Sequence, residues 1–205
     1  MADYARLAVA RELLARGYER TVWLDADLLV FAPDNLTVDV TDSFSYCYEV
    51  WLGRDKQGLL KAMTHVNNAI TVFVKGNKGK TYLDFFIDAA ERTAFSLDVV
   101  PKIAISTQFL TRLRQALPFH LLMNVGLFSP LVLADLAGGT SRVLPAYGAA
   151  LRQPLACANL CASIVGETKH GVVITDAMCD TVVQKCLESK GEIVNRFVNA
   201  SVAAR

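Results

Sequence analysis

A chain of 205 residues that is 53% hydrophobic can bury one substantial core, and a single domain over residues 1–205 is the default expectation. Its 21 basic and 20 acidic residues leave a formal charge of +1, so no whole-protein field points to nucleic acid or to an anionic membrane. Any ligand must be caught by a local site.

The opening MADYARLAVARELLARG has neither the long apolar core nor the small-residue cleavage site of a secretory signal. The longest apolar stretch, PLACANLCASIVG, is interrupted by Asn159 and Ser163 and falls short of the roughly 18 to 20 residues that cross a bilayer. A cytoplasmic protein without a transmembrane segment is expected. The mean hydropathy of +0.31 is high for a soluble monomer, which suggests that a homo-oligomer or a partner chain covers apolar surface.

In chain order, Tyr4, Leu7, Ala10 (or Arg11) and Leu14 recur at helical spacing and Gly17 follows as a stop, so an amphipathic helix opens the chain. TVWL is a short strand ending at Asp25. Helix, tight turn and strand make half of a parallel α/β unit. FSYCYEVW (44–51) alternates and is aromatic, a second strand, and LGRDKQG follows as a loop. AITVFV (69–74) is a buried strand, and GNKG turns into a helix over about residues 81–93 with Leu83, Phe86 and Ala90 inward. A helix is predicted over 107–117, with Phe109, Leu110 and Leu113 inward and Pro118 ending it. In SPLVLADLAGG, Ser129 is an N-cap, Pro130 the first helical residue and Gly138 the stop. VVIT (172–175) reads as a strand, and helices near 177–190 and 192–202 are separated by Gly191. No repeat, low-complexity tract or linker interrupts this pattern.

Cysteines 47, 157, 161, 179 and 186 are odd in number and follow no secretory signal, which argues against a disulfide framework. With His170, four of them could be imagined as a zinc site, but no Cys-x-x-Cys pair is present. Buried thiols acting as small hydrophobes are the expectation. His65 and His120 are expected to be structurally satisfied, and Phe44, Tyr46 and Tyr48 to join the core.

The informative stretch is VWLDADLLVF, residues 22–31, where Asp25 and Asp27 interrupt an apolar run. A strand of an open α/β sheet delivers its last side chains to the crevice at its carboxyl end, where ligands bind. In extended chain, Asp-Ala-Asp puts both carboxylates on one side. Two like charges that close need a counter-charge, and Mg²⁺ or Mn²⁺, which prefer oxygen ligands, would supply it. A strand-end turn with two solvated acids is the plainer alternative.

The segment ARLAVARELLARGYERTVWLDADLLVFAPDNL resembles the helix, strand and Asp-x-Asp segment of nucleotide-sugar glycosyltransferases of the GT-A fold, Pro33 and the following Asp-Asn-Leu included. The resemblance implies a mixed, mostly parallel sheet flanked by helices, and a sugar moved from a nucleotide-diphosphate donor to an acceptor hydroxyl. It implies that Asp25 and Asp27 are the metal and diphosphate site, one touching the ribose or sugar and the other ligating Mn²⁺ or Mg²⁺. In HVNNAITVFVKGN, Asn67 and Asn68 match the Asn that lines the donor-sugar pocket of such enzymes, although both would also suit a turn before the strand. TQFLTRLRQALPFHLLMNVGLFSP resembles the later helix and strand that shape the acceptor side, with Thr107 and Gln108 at its entrance. The implied donor-binding set is Asp25, Asp27, Asn67, Asn68 and Gln108. Asp55, Asp84 and Asp98 are equal candidates for an acceptor base. Some relatives use a later His as a third metal ligand, a place only His170 could fill in the C-terminal third. About 24 residues precede Asp25, so the family's nucleotide-binding part is expected to be largely missing, as in a fragment or a truncated non-catalytic relative.

A rival resemblance is to phosphatases of the haloacid-dehalogenase type. There Asp25 would be a nucleophile, Asp27 a general acid, Lys169 the neutralising lysine, and Asp176 with Asp180 the later acidic motif. Leu28 and Leu29 stand where that family has Gly-Thr or Val.

Overall fold

The amphipathic opening forms helix α1 (Ala2–Ala15) and TVWL lies in strand β1 (Arg20–Leu24), in a computed structural model that describes residues 2–38, 40, 43–101 and 104–204. Strands β2 (Leu28–Val30), β3 (Phe44–Arg54) and β4 (Leu60–Val74) follow, then helices α2 (Asn77–Ser96) and α3 (Thr107–Ala116). Next come β5 (Leu121–Leu122), β6 (Val125–Leu127), α4 (Pro130–Gly138) and α5 (Leu144–Ala150). The chain ends with β7 (Cys157–Asn159), β8 (Thr168–Lys169), β9 (Val172–Val173), α6 (Asp176–Glu188) and α7 (Glu192–Ala203). Among the described residues no helix is long and apolar enough to cross a membrane.

The protein is α/β with mixed sheets. One sheet has the order β1-β4-β3-β5, another β2-β7-β6, and β8 pairs with β9. β1 runs antiparallel to β4, with Val22 opposite Val72 and Leu24 opposite Ile70. β2–β7 and β8–β9 are also antiparallel, whereas β3–β5 and β6–β7 are parallel. The expectation of a mostly parallel sheet is therefore not met. β3 and β4 are sheet neighbours joined by residues 55–59 alone, too short for the crossover of a dozen or more residues that a parallel pair requires. Asp55 shapes that turn by accepting the Gln57 and Leu59 N–H groups, both at 2.9 Å. LGRDKQG is a turn only in its second half, since Leu52 and Gly53 are buried strand residues.

The chain divides into two compact units. The first comprises Met1–Asp25, Val38–Tyr48 and His65–Leu122. Its core is aromatic: the Phe44 ring lies 5.2 Å from both Phe86 and Phe119, and Tyr46 lies 5.4 Å from Phe86. Burial pushes the Tyr46 phenol well above its ordinary pKa. His120 is satisfied through Ser45, whose hydroxyl lies 3.1 Å from Nδ1.

The second unit comprises Ala26–Thr37, Glu49–Thr64 and Met123–Arg205. Leu133, Leu136, Tyr147, Leu151 and Leu155 are fully buried in it. Ser129 and Pro130 occupy the expected cap and first positions of α4, yet the serine hydroxyl does not cap; it donates to the Leu52 carbonyl at 2.7 Å. α5 has no counterpart among the predicted elements because Pro145 and Gly148 read as breakers. Pro145 sits in the first turn, where proline is tolerated, and a Cβ at Gly148 would stand 2.7 Å from the Phe197 carbonyl carbon of α7.

Candidate functional site

β1 brings Asp25 to its end in the first unit, where the Asp25 N–H donates to the Ala69 carbonyl at 2.9 Å. Asp25 Oδ1 accepts the Trp23 indole N–H at 2.9 Å and lies 3.1 Å from Arg6 Nη1. Arg6 stands on the buried face of α1, only 6% exposed. Its Nη2 pairs with Asp3 at 3.2 Å, its Nη1 also donates to the Asn68 carbonyl, and its guanidinium lies 5.5 Å from the Trp23 ring. Asn68 Nδ2 donates to the same Asp3 oxygen at 2.8 Å. Two of the expected site residues, Asp25 and Asn68, thus share one cation.

Asn67 lies inside β4 and not in a turn before the strand, its Oδ1 accepting the Ala69 N–H at 2.5 Å. Gln108 is exposed and Thr107 half-buried on the first turn of α3. Arg6 was invisible to motif reading, although a lone cation beside Leu7 on the apolar stripe of an opening helix was a usable signal.

The chain turns at Ala26 and Asp27 instead of continuing extended, so the same-side placement expected of extended Asp-Ala-Asp does not apply. Asp27 belongs to the second unit, where each of its oxygens accepts a bond: Oδ1 from Asn159 Nδ2 at 2.7 Å, Oδ2 from the Ala162 N–H at 3.0 Å. Its carbonyl accepts the Leu160 N–H at 3.0 Å. The pairing of Leu28 with Asn159 sets this register, and Asn159 Oδ1 in turn accepts the Cys161 N–H at 2.7 Å. Burial pushes the Cys161 thiol up, and the carboxylates of Glu49 and Asp27 push it further. A raised thiol pKa disfavours the thiolate that nucleophilic chemistry needs. Glu49, buried on β3, was the one charge in FSYCYEVW, and Asn159 lay inside an apolar stretch; neither was singled out by the sequence.

An oxygen-seeking ion fits Asp27 on the chemistry of its donor set. A carboxylate oxygen has two lone pairs, and one donor on each leaves the other available, as in ligand carboxylates oriented by outer hydrogen bonds. Asp25 differs, being paired with a guanidinium. Among the described residues no three His, Cys, Asp or Glu side chains gather to hold an ion, so water and donor phosphates would have to complete its shell. His170 packs instead over Gly53, at the tip of the β8–β9 hairpin.

Compared with known protein families, curated proteins and solved structures, the chain shows no significant match.

Lys169 is paired with Glu167 at 2.9 Å, and Asp176 and Asp180 are exposed on α6. These geometries lend the phosphatase arrangement no support. All five cysteines are free thiols, four of them buried.

Proposed function

We propose that the chain is a GT-A-like, metal-dependent glycosyltransferase segment that binds a nucleotide-sugar donor and passes its sugar to an acceptor hydroxyl. The observation that carries this reading is the setting of Asp27, a carboxylate oriented by two donors and suited to ligating Mn²⁺ or Mg²⁺. Asp25 shares the Arg6 guanidinium with Asp3. The bound ion would stabilise the charge that builds on the leaving diphosphate as the sugar–oxygen bond breaks. Asn159 and the Ala162 N–H hold the Asp27 carboxylate in place before the donor arrives, which removes reorganisation from the reacting step. Asn68, tied to Asp3 and Arg6, stands within β4 next to Ala69, whose carbonyl accepts the Asp25 N–H. The free thiols suit a reducing compartment, in keeping with the cytoplasm.

The test is release of nucleoside diphosphate from UDP- and GDP-sugars by the intact protein, with Mn²⁺ and with EDTA. Release that needs the metal and is lost in Asp27→Asn is expected. No metal-dependent release from any donor counts against the proposal.

A further inference from the structure

The β3–β4 hairpin closes on a turn braced by its own residues. The Gly58 N–H donates to the Asp55 carbonyl at 3.0 Å, the Asp55 N–H donates to the Leu59 carbonyl at 2.9 Å, and Gly58 has a positive φ of 82°, the pattern of a type I turn followed by a bulge. Arg54 Nη1 donates to the Gly58 carbonyl at 2.7 Å, and Asp55 Oδ1 is taken up by the Gln57 and Leu59 N–H groups. From Arg54 to Ala62 every residue is exposed except Asp55, which is half-buried. This braced tip stands in solvent, and it carries two leucines there: Leu59 is 66% and Leu60 38% exposed.

Between Val50 and Thr64 the chain places three cations, Arg54, Lys56 and Lys61, against the single acid Asp55, so the tip is positive. The β8–β9 hairpin, whose His170 packs over Gly53, adds no net charge beside it, because Lys169 and Glu167 pair at 2.9 Å. We propose that this tip is a contact site for an anionic lipid surface, entered by Leu59 and Leu60 while Arg54, Lys56 and Lys61 meet the anionic headgroups. Consecutive residues of an extended chain point to opposite faces, so no flat protein surface receives both leucines, whereas a fluid interface closes round them. Lysine and arginine lay their stems along apolar surface with the charged head in the polar layer, and each is drawn to an anionic leaflet. A protein partner is the poorer fit. Protein interfaces favour aromatic anchors and are depleted in lysine, and the tip has no aromatic side chain from Arg54 to Thr64.

The whole chain carries only +1, so the attraction is local to the hairpin and short in range. Two leucines bury too little apolar surface for a permanent anchor, so the contact is reversible and needs the cations as its second signal. It does not depend on the transferase reading, since none of its residues belongs to the set assigned to the donor or the ion.

The experiment mixes the full chain with vesicles of phosphatidylcholine alone, or of phosphatidylcholine with phosphatidylserine, and follows the bound fraction by flotation as salt is raised. Binding to the phosphatidylserine vesicles that fades with salt, and none to phosphatidylcholine alone, is the expected result. Lys56→Ala with Lys61→Ala should weaken it about thirtyfold. Leu59→Ser with Leu60→Ser, which leaves the charge unchanged, should weaken it about tenfold. Gln57→Ala, on the same turn, should bind as the parent does, and unfolding midpoints equal to the parent's show that the variants fold. Equal binding to both kinds of vesicle, binding unchanged in either double variant, or no binding at all overturns the proposal. So does capture of polyglutamate without capture of vesicles, which would assign the tip to an acidic protein.

Discussion

Arg6 answers at residue scale how a chain tolerates Asp25 beside an apolar strand. One buried guanidinium serves Asp3, Asp25 and the Asn68 carbonyl, with Trp23 against it. Removing it would strand two acids at the edge of a core. Because Asp3 and Asp25 keep 19% and 24% exposure, the cost of Arg6→Ala should fall at the lower end of the roughly 3–5 kcal/mol typical of broken buried pairs. Urea denaturation of the two proteins measures this. Arg6→Lys should recover only part of the loss, since an ammonium cannot reproduce the planar fork that reaches three acceptors. Equal stability of Arg6→Ala and the parent would show that the cluster is not structural.

Among the elements, the end of α4 depends on a single carboxylate. Asp135 accepts bonds from the Thr140 hydroxyl and from the N–H groups of Arg142, Val143 and Leu144, and so bridges α4 to α5. Burial alone would raise its pKa, but these four donors outweigh it and hold the carboxyl below the ordinary value. A depressed folded-state pKa contributes stability that is present above the unfolded value of about 3.9 and is lost as pH falls toward the lowered one. Asp135→Asn should cost about 1–3 kcal/mol near neutral pH, and the gap to the parent should close on acidification. Unfolding midpoints followed from pH 7 downward check both. Elements whose own pattern is complete were legible in the sequence: α3, α4, α6 and α7 fall within a few residues of their predicted spans. The strands β5 and β6 were expected only as the single strand that the resemblance implied after α3, and β7 not at all, because two or three residues carry no periodicity and exist only through partners distant in the chain. The polar start of β4, Lys61 to His65, likewise gave no strand signal, and only its apolar end at 69–74 was legible.

For the molecule as a whole, the acidic pair was legible because charge inside an apolar run is conspicuous, whereas its environment was not. The boundary between the two units falls directly after Asp25, and Asp27 finds its partner Asn159 across 132 positions of sequence. No local pattern announces such a pairing. The two acids consequently have different surroundings, one a guanidinium, the other an amide and a backbone N–H. The central claim is that Asp27, held by Asn159 and the Ala162 N–H, serves an ion-bound nucleotide diphosphate. Isothermal titration of UDP and GDP into the intact protein, with and without Mn²⁺ and repeated on Asp25→Ala and Asp27→Ala, tests it most directly. Binding that requires Mn²⁺ and weakens more than about tenfold, some 1.4 kcal/mol, in Asp27→Ala is the expected result. Absence of metal-dependent binding in the intact protein, or its persistence unchanged in Asp27→Ala, would contradict it.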